Sequence, residues 1–91
     1  MSQPQPHPVR PNYTRQNVEA TVLRLAHETF ELEEFDLETN LAEAGADSML
    51  YYGLEAKVEE AFNIEFSVSE YQQISTLQDL ANVACRLLDI A

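Results

Sequence analysis

The sequence predicts an all-α fold: an antiparallel bundle of three main helices and one short helix, with a long loop between helices one and two. Two observations carry this expectation. Apolar residues recur at helical spacing in separate segments of the chain. The 91 residues include only two glycines and no tryptophan, which does not suit a β fold built on many tight turns. With 45% apolar residues, a chain this short fills one modest core, so one domain is expected over residues 13–91.

Residues 1–12 read as a disordered leader. Pro4, Pro6, Pro8 and Pro11 alternate with polar residues, a pattern that favours extended, unpacked chain. The first helix is expected from Thr14, its N-cap, to Phe30. Val18, Val22, Leu25 and Thr29 form its stripe, widened by Leu23, Ala26 and Phe30. His27 has no second histidine or cysteine at ligand spacing, so it reads as a solvent-edge residue rather than a metal ligand.

Residues 31–47 exceed a tight helix-to-helix turn, which spans about two to eight residues. Phe35, Leu37 and Leu41 punctuate the segment and are expected to pin it to the core. Its acids do not follow the D-x-D-x-D-G pattern of an EF-hand.

The second helix is expected from Ser48 to Phe62. At about 100° per residue, Leu50, Tyr51, Leu54, Val58, Ala61 and Phe62 share one broad arc, the expected core face. Glu55, Lys57, Glu59 and Glu60 are expected to point outward. Met49, Tyr52 and Ala56 recur at i, i+3 and i+7 on the far side, with Gly53 beside them. Exposed, this strip is a docking surface; packed on the short helix or the long loop, it is core. At the helix start, the unpaired N–H groups and the macrodipole favour an anion. The Ser48 hydroxyl there is either a simple N-cap or an anchor for a phosphodiester.

Beyond Asn63 a short helix is expected over Val68–Gln72, with Phe66, Val68, Tyr71 and Ile74 on its buried side. The last helix should start with Ser75 or Thr76 as its cap and run to Leu88. Leu77, Ala81, Ala84 and Leu88 make its inner stripe, flanked by Leu80 and Leu87. Cys85 reads as a small, half-buried apolar residue with no histidine near it in sequence.

Charge and motifs exclude several function classes. Residues 1–17 carry Arg10 and Arg15 and no acid, whereas residues 18–91 carry all sixteen acids against Arg24, Lys57 and Arg86. The net charge of −11 repels nucleic acid and anionic lipid and draws the body to basic patches on partner proteins. No apolar run spans a membrane and no charged-then-apolar targeting segment opens the chain, so a soluble, cytoplasmic protein is expected. One cysteine excludes an intramolecular disulfide and a cysteine-based zinc site. No hydrolase elbow, P-loop, dinucleotide turn or H-E-x-x-H helix is present. Nothing demands more than a monomer.

One stretch gathers these features: Leu41-Ala42-Glu43-Ala44-Gly45-Ala46-Asp47-Ser48-Met49, with Phe62 closing the helix that follows and Phe66, Ile74 and Thr76-Leu77 beyond it. It resembles the acyl carrier protein family, whose loop ends in Leu-x-x-x-Gly-x-Asp-Ser-Leu/Met. The resemblance covers residues 16–90. It implies that Ser48 carries 4′-phosphopantetheine, attached covalently from coenzyme A by a separate phosphopantetheinyl transferase. The terminal thiol would then hold acyl groups as thioesters for acyl-loading and acyl-processing enzymes. By similarity Asp47 serves transferase recognition, or it is only an acid favoured by the helix dipole. By similarity Met49 packs into partners, or it is core. Gly45 is expected to allow the sharp approach of loop to helix.

The chain departs from the fatty-acid type directly after the serine. Leu50 and Gly53 stand where that type places acids. Partner choice should then rest on shape and apolar contact, as in carriers of polyketide or nonribosomal peptide assembly. The Met1 start and short length suit a discrete carrier. Two alternatives remain at this point: a housekeeping fatty-acid carrier, and an unmodified acidic adaptor binding through the Met49, Tyr52, Ala56 strip.

Overall fold

The computed structural model describes residues 13–30, 36–45 and 47–90. The proline-rich leader, Phe35 and Ala46 lie outside the described residues. The described residues form four helices: α1 (Arg15–Phe30), α2 (Ser48–Phe62), α3 (Val68–Gln73) and α4 (Leu77–Leu87). The all-α expectation and the boundaries of the three long helices hold to within a residue. Among the described residues no helix is long and apolar enough to cross a membrane.

Local chemistry fixes the helix starts. The Asn17 N–H donates to Thr14 Oγ1 at 3.1 Å, so Thr14 caps α1. Ser67 and Glu70 form a capping box at α3, and Thr76 and Asp79 form another at α4. At the far end of α2, Asn63 adopts the left-handed conformation (φ 55°) and its N–H returns to the Glu59 carbonyl, which stops the helix.

The core is built mainly from α1, α2 and α4. Val18, Val22 and Ala26 of α1 meet Leu54 and Val58 of α2 and Leu77, Leu80, Ala81 and Ala84 of α4, all fully buried. Side chains show α1 and α4 to be antiparallel: Arg15 donates to Asn82 at 2.6 Å, and Gln78 donates to Glu19 at 2.8 Å. The long loop is pinned as expected. Leu41 is 2% exposed, its N–H donates to the Ser75 carbonyl, and the Gln78 N–H donates to the Leu37 carbonyl at 2.7 Å. An isolated bridge between Asn40 and Thr76 completes this seam. The loop that leads to Ser48 is thereby tied to the start of α4.

Several burial expectations are corrected. The buried arc of α2 is rotated toward α3. Leu50 is 37% exposed and Ala61 is exposed, whereas Glu55, expected outward, is fully buried. On a helical wheel Glu55 lies about 20° from Phe62, inside the apolar arc. Its charge argued for solvent, but its position put it in the buried arc. Val68 was expected on the buried side of α3 and is 72% exposed, because α3 is held by its polar contacts and buries no residue of its own. Cys85 was read as half-buried and is completely enclosed.

Candidate functional site

The approach to Ser48 is a compact turn. Asn40 organises it: its side chain accepts from the Glu43 N–H and its carbonyl from the Ala44 N–H. The Gly45 N–H then donates to the Ala42 carbonyl, and Gly45 turns the chain with φ 89°. A side chain at that φ is strained, so this position calls for glycine.

Asp47, not Ser48, is the N-cap of α2. Its backbone is extended, its side chain accepts from the Leu50 N–H at 2.9 Å, and its carbonyl accepts from the Tyr51 N–H. The reading of Ser48 as a simple N-cap is thereby corrected. Ser48 occupies the first helical position, exposed, and its hydroxyl has no hydrogen-bond partner among the described residues. The N–H groups of Ser48 and Met49 likewise have no acceptor among the described residues. An exposed hydroxyl beside two open N–H donors at the positive end of a helix fits a phosphodiester. The Asp47 carboxylate is turned into the cap, which leaves the N–H pair for that group.

Ser48 borders a cleft of about 280 Å³ between the end of the long loop and α2, with Asn40, Leu41, Tyr51 and Ser75 among its walls. Tyr51 and Tyr52 are shared with a second groove of about 440 Å³ between α2 and α3, completed by Val68, Tyr71 and Gln72. Tyr51 anchors the C-terminal end of α3 by donating to the Ile74 carbonyl at 2.5 Å, with the Tyr71 carbonyl at 3.2 Å. Glu59 anchors the other end, accepting from the Tyr71 hydroxyl at 3.1 Å and from the Phe66 N–H at 2.7 Å. Burial first, then this bond to Glu59, pushes the Tyr71 hydroxyl up to about 12.

The far-side strip is on the surface. Met49 is 84% exposed, Tyr52 is 57% exposed, Ala56 is exposed and Gly53 is half-buried. Tyr52 leans its ring edgewise on Tyr51 and Tyr71 at 6.0 Å but is not enclosed. The packed alternative for Met49 and Tyr52 is therefore set aside. Among the described residues no cluster of His, Cys, Asp and Glu could hold a metal. Burial raises the Cys85 pKa, which keeps the thiol protonated and unsuited to nucleophilic work.

The buried Glu55 is the residue that sequence reasoning missed. A signal was available in its angular position beside Phe62, but a carboxylate on an acidic helix reads by default as solvated.

The family model described as the phosphopantetheine attachment site matches residues 18–84. A comparison with curated proteins found no match. The matched span runs from the first turn of α1 to the last turn of α4 and encloses the loop, the cap and Ser48. The chain therefore belongs to the acyl carrier protein family, whose domain is the attachment site of covalent 4′-phosphopantetheine.

Proposed function

We propose that this chain is a non-catalytic carrier that holds acyl intermediates as thioesters on a 4′-phosphopantetheine arm attached at Ser48, in polyketide or nonribosomal peptide assembly. The observation that carries the site assignment is the division of labour at the start of α2. Asp47 does the capping, so the Ser48 hydroxyl is exposed and uncommitted. When bound, the arm supplies a thiol that accepts and releases acyl groups. This chain's residues present the arm: Gly45 turns the loop, Asp47 fixes the helix start, and the Ser48 and Met49 N–H groups face the phosphodiester. Asp47 and Met49 are also read by the transferase and by partner enzymes. The pathway assignment rests on the apolar strip of Met49, Tyr52, Gly53 and Ala56, where charge gives way to shape.

The test is incubation of the purified protein with coenzyme A and a broad-specificity phosphopantetheinyl transferase, read by intact mass. The wild type gains one phosphopantetheine unit and Ser48→Ala gains none. A wild type that stays unmodified beside a control carrier that loads would instead leave an acidic adaptor.

A further inference from the structure

Tyr51, Glu55 and Glu59 lie at i, i+4 and i+8 of α2 and so form one stripe. The outer two hold α3. Tyr51 donates to the Ile74 carbonyl at 2.5 Å, with the Tyr71 carbonyl at 3.2 Å. Glu59 accepts from the Tyr71 hydroxyl and from the Phe66 N–H. Glu55, between them in the stripe, is fully buried. The donor that acts on it is the Tyr51 hydroxyl, which favours its ionised form. That hydroxyl has a single proton. While the proton goes to Ile74, neither Glu55 oxygen accepts one. One donor therefore faces two acceptors, a backbone carbonyl and a buried carboxyl.

Which acceptor wins depends on the charge of Glu55. A neutral carboxyl competes poorly for the proton, and Ile74 keeps it. A carboxylate makes a charge-assisted bond, roughly twice as strong as a neutral one. Burial, with Glu59 adding repulsion, raises the Glu55 pKa to about 8, so the acid is mostly neutral at pH 7 and ionises in mildly alkaline solution. The network reaches the neighbouring elements. Tyr71 of α3 feels Glu55 and Glu59, with Glu65 of the preceding connection acting on it as well, and Asp79 of α4 acts on Tyr51. α1 also packs on α2 but supplies none of these groups. All of them are acids or phenols, so no cation among them offsets a charge on Glu55. The Tyr51 pKa is itself raised, and its hydroxyl stays a donor throughout.

We infer that the Tyr51 hydroxyl is a two-position switch: it holds the Ile74 carbonyl while Glu55 keeps its proton, and it turns to the Glu55 carboxylate when that proton leaves to solvent, releasing the C-terminal end of α3. The same ionisation sets Glu55 against Glu59 and weakens the second clamp on Tyr71. Little else resists the release. α3 is six residues long and buries none of them fully, and elements with few buried contacts open at low free energy. Its exposed pair of Glu70 with Arg86 adds little. Tyr51 and Ile74 both wall the cleft that Ser48 borders, so the switch also reshapes that cleft. The device belongs to the bundle itself and does not depend on modification of Ser48.

The experiment follows the full, unmodified chain by NMR from about pH 6 to about pH 9.5, a range that spans the Glu55 pKa of about 8. Three signals are read: the Glu55 carboxyl carbon, the Ile74 carbonyl carbon, and amide exchange in α3 corrected for its intrinsic base-catalysed rate. The wild type is expected to lose α3 protection by about fivefold, as loss of one hydrogen bond implies. That loss should run in step with both carbon shifts, while amides of α1 and α4 keep their protection. Glu55→Gln, which cannot ionise, should keep α3 protected across the range. Tyr51→Phe, which removes the donor, should leave α3 loose across the range with no step. Wild-type α3 protection that stays flat overturns the inference. So does a step that survives in Glu55→Gln, or one whose midpoint differs from that of the Glu55 carboxyl, a comparison that needs only the wild type. Equal loosening of α1, α3 and α4 would assign the effect to general repulsion among acids and overturn it too. None of these outcomes bears on the carrier reading of Ser48, which the gain in mass tests separately.

Discussion

At the residue scale the decisive pair is Asp47 and Ser48. The sequence left open whether Ser48 is a simple N-cap or an anchor, and read Asp47 as a recognition residue or an acid favoured by the helix dipole. The geometry assigns the cap to Asp47 through its bond to the Leu50 N–H. Asp47→Ala should therefore destabilise the fold by about 1 kcal/mol, lowering the melting temperature by about 4–8 °C, whereas Ser48→Ala should leave it nearly unchanged. Equal losses from both substitutions in thermal melts would contradict this division. Glu55 makes a second prediction. Its pKa is raised to about 8 from a reference of 4.5, so the folded state holds a proton that the unfolded state releases. Stability from this group is full below about pH 4.5, declines as pH rises toward 8, and levels off above. Glu70 runs the other way: its pKa is lowered by the Ser67 N–H and Arg86, so its contribution is lost as pH falls through the acid range. Subtracting the denaturation curve of Glu55→Gln from that of the wild type isolates the first effect. A difference that does not change between pH 5 and 8 would exclude a buried neutral acid.

At the scale of elements, α2 was legible in outline and misread in rotation. Its ends were readable because Asp47-Ser48 and Phe62-Asn63 carry local signals, a cap acid and a residue able to take positive φ. Its buried face was not, because which side of an amphipathic helix is covered depends on what packs there. The polar contacts that bring α3 onto Tyr51 and Glu59 join residues up to 23 positions apart, and no periodicity encodes them. For the same reason Val68 looked buried: its apolar character is local information, whereas the orientation of α3 is tertiary. Gly53 tests how far local rules still hold. A Cβ built there meets nothing within 4 Å, and the backbone is ordinary helix. Gly53→Ala should therefore stabilise α2 by about 1 kcal/mol, read as a rise in denaturation midpoint. Gly45→Ala should do the reverse by a similar amount, since Gly45 sits at φ 89° even though the space around it is open. A fall for Gly53→Ala would mean that the helix start needs a freedom the backbone does not display.

At the scale of the whole molecule, charge and apolar surface are separated. Among the described residues, Arg15 is held by Glu19, Arg24 by Glu28 and Arg86 by Glu70. Such exposed pairs add little stability, but they mute the cations and leave the body with an acidic field. Next to Ser48 that field is interrupted by Met49 and Tyr52, both exposed. The arrangement divides the work of recognition. On the proposed carrier reading, long-range attraction to a basic partner sets how often the carrier arrives, and the apolar strip sets how long it stays. The two parts respond to different perturbations. Raising the ionic strength should lower the association rate with a partner enzyme and leave dissociation nearly unchanged. Tyr52→Glu should do the opposite, speeding dissociation and reducing acyl transfer by about tenfold or more, as loss of an aromatic anchor does. Because Tyr52 is 57% exposed, its folding stability should move by only about 0.5 kcal/mol. Stopped-flow association and dissociation rates, measured beside thermal melts of the same samples, separate these effects. If Tyr52→Glu melts early in proportion to its loss of transfer, the ring's contacts with Tyr51 and Tyr71 hold the fold together and the strip is not a reading surface.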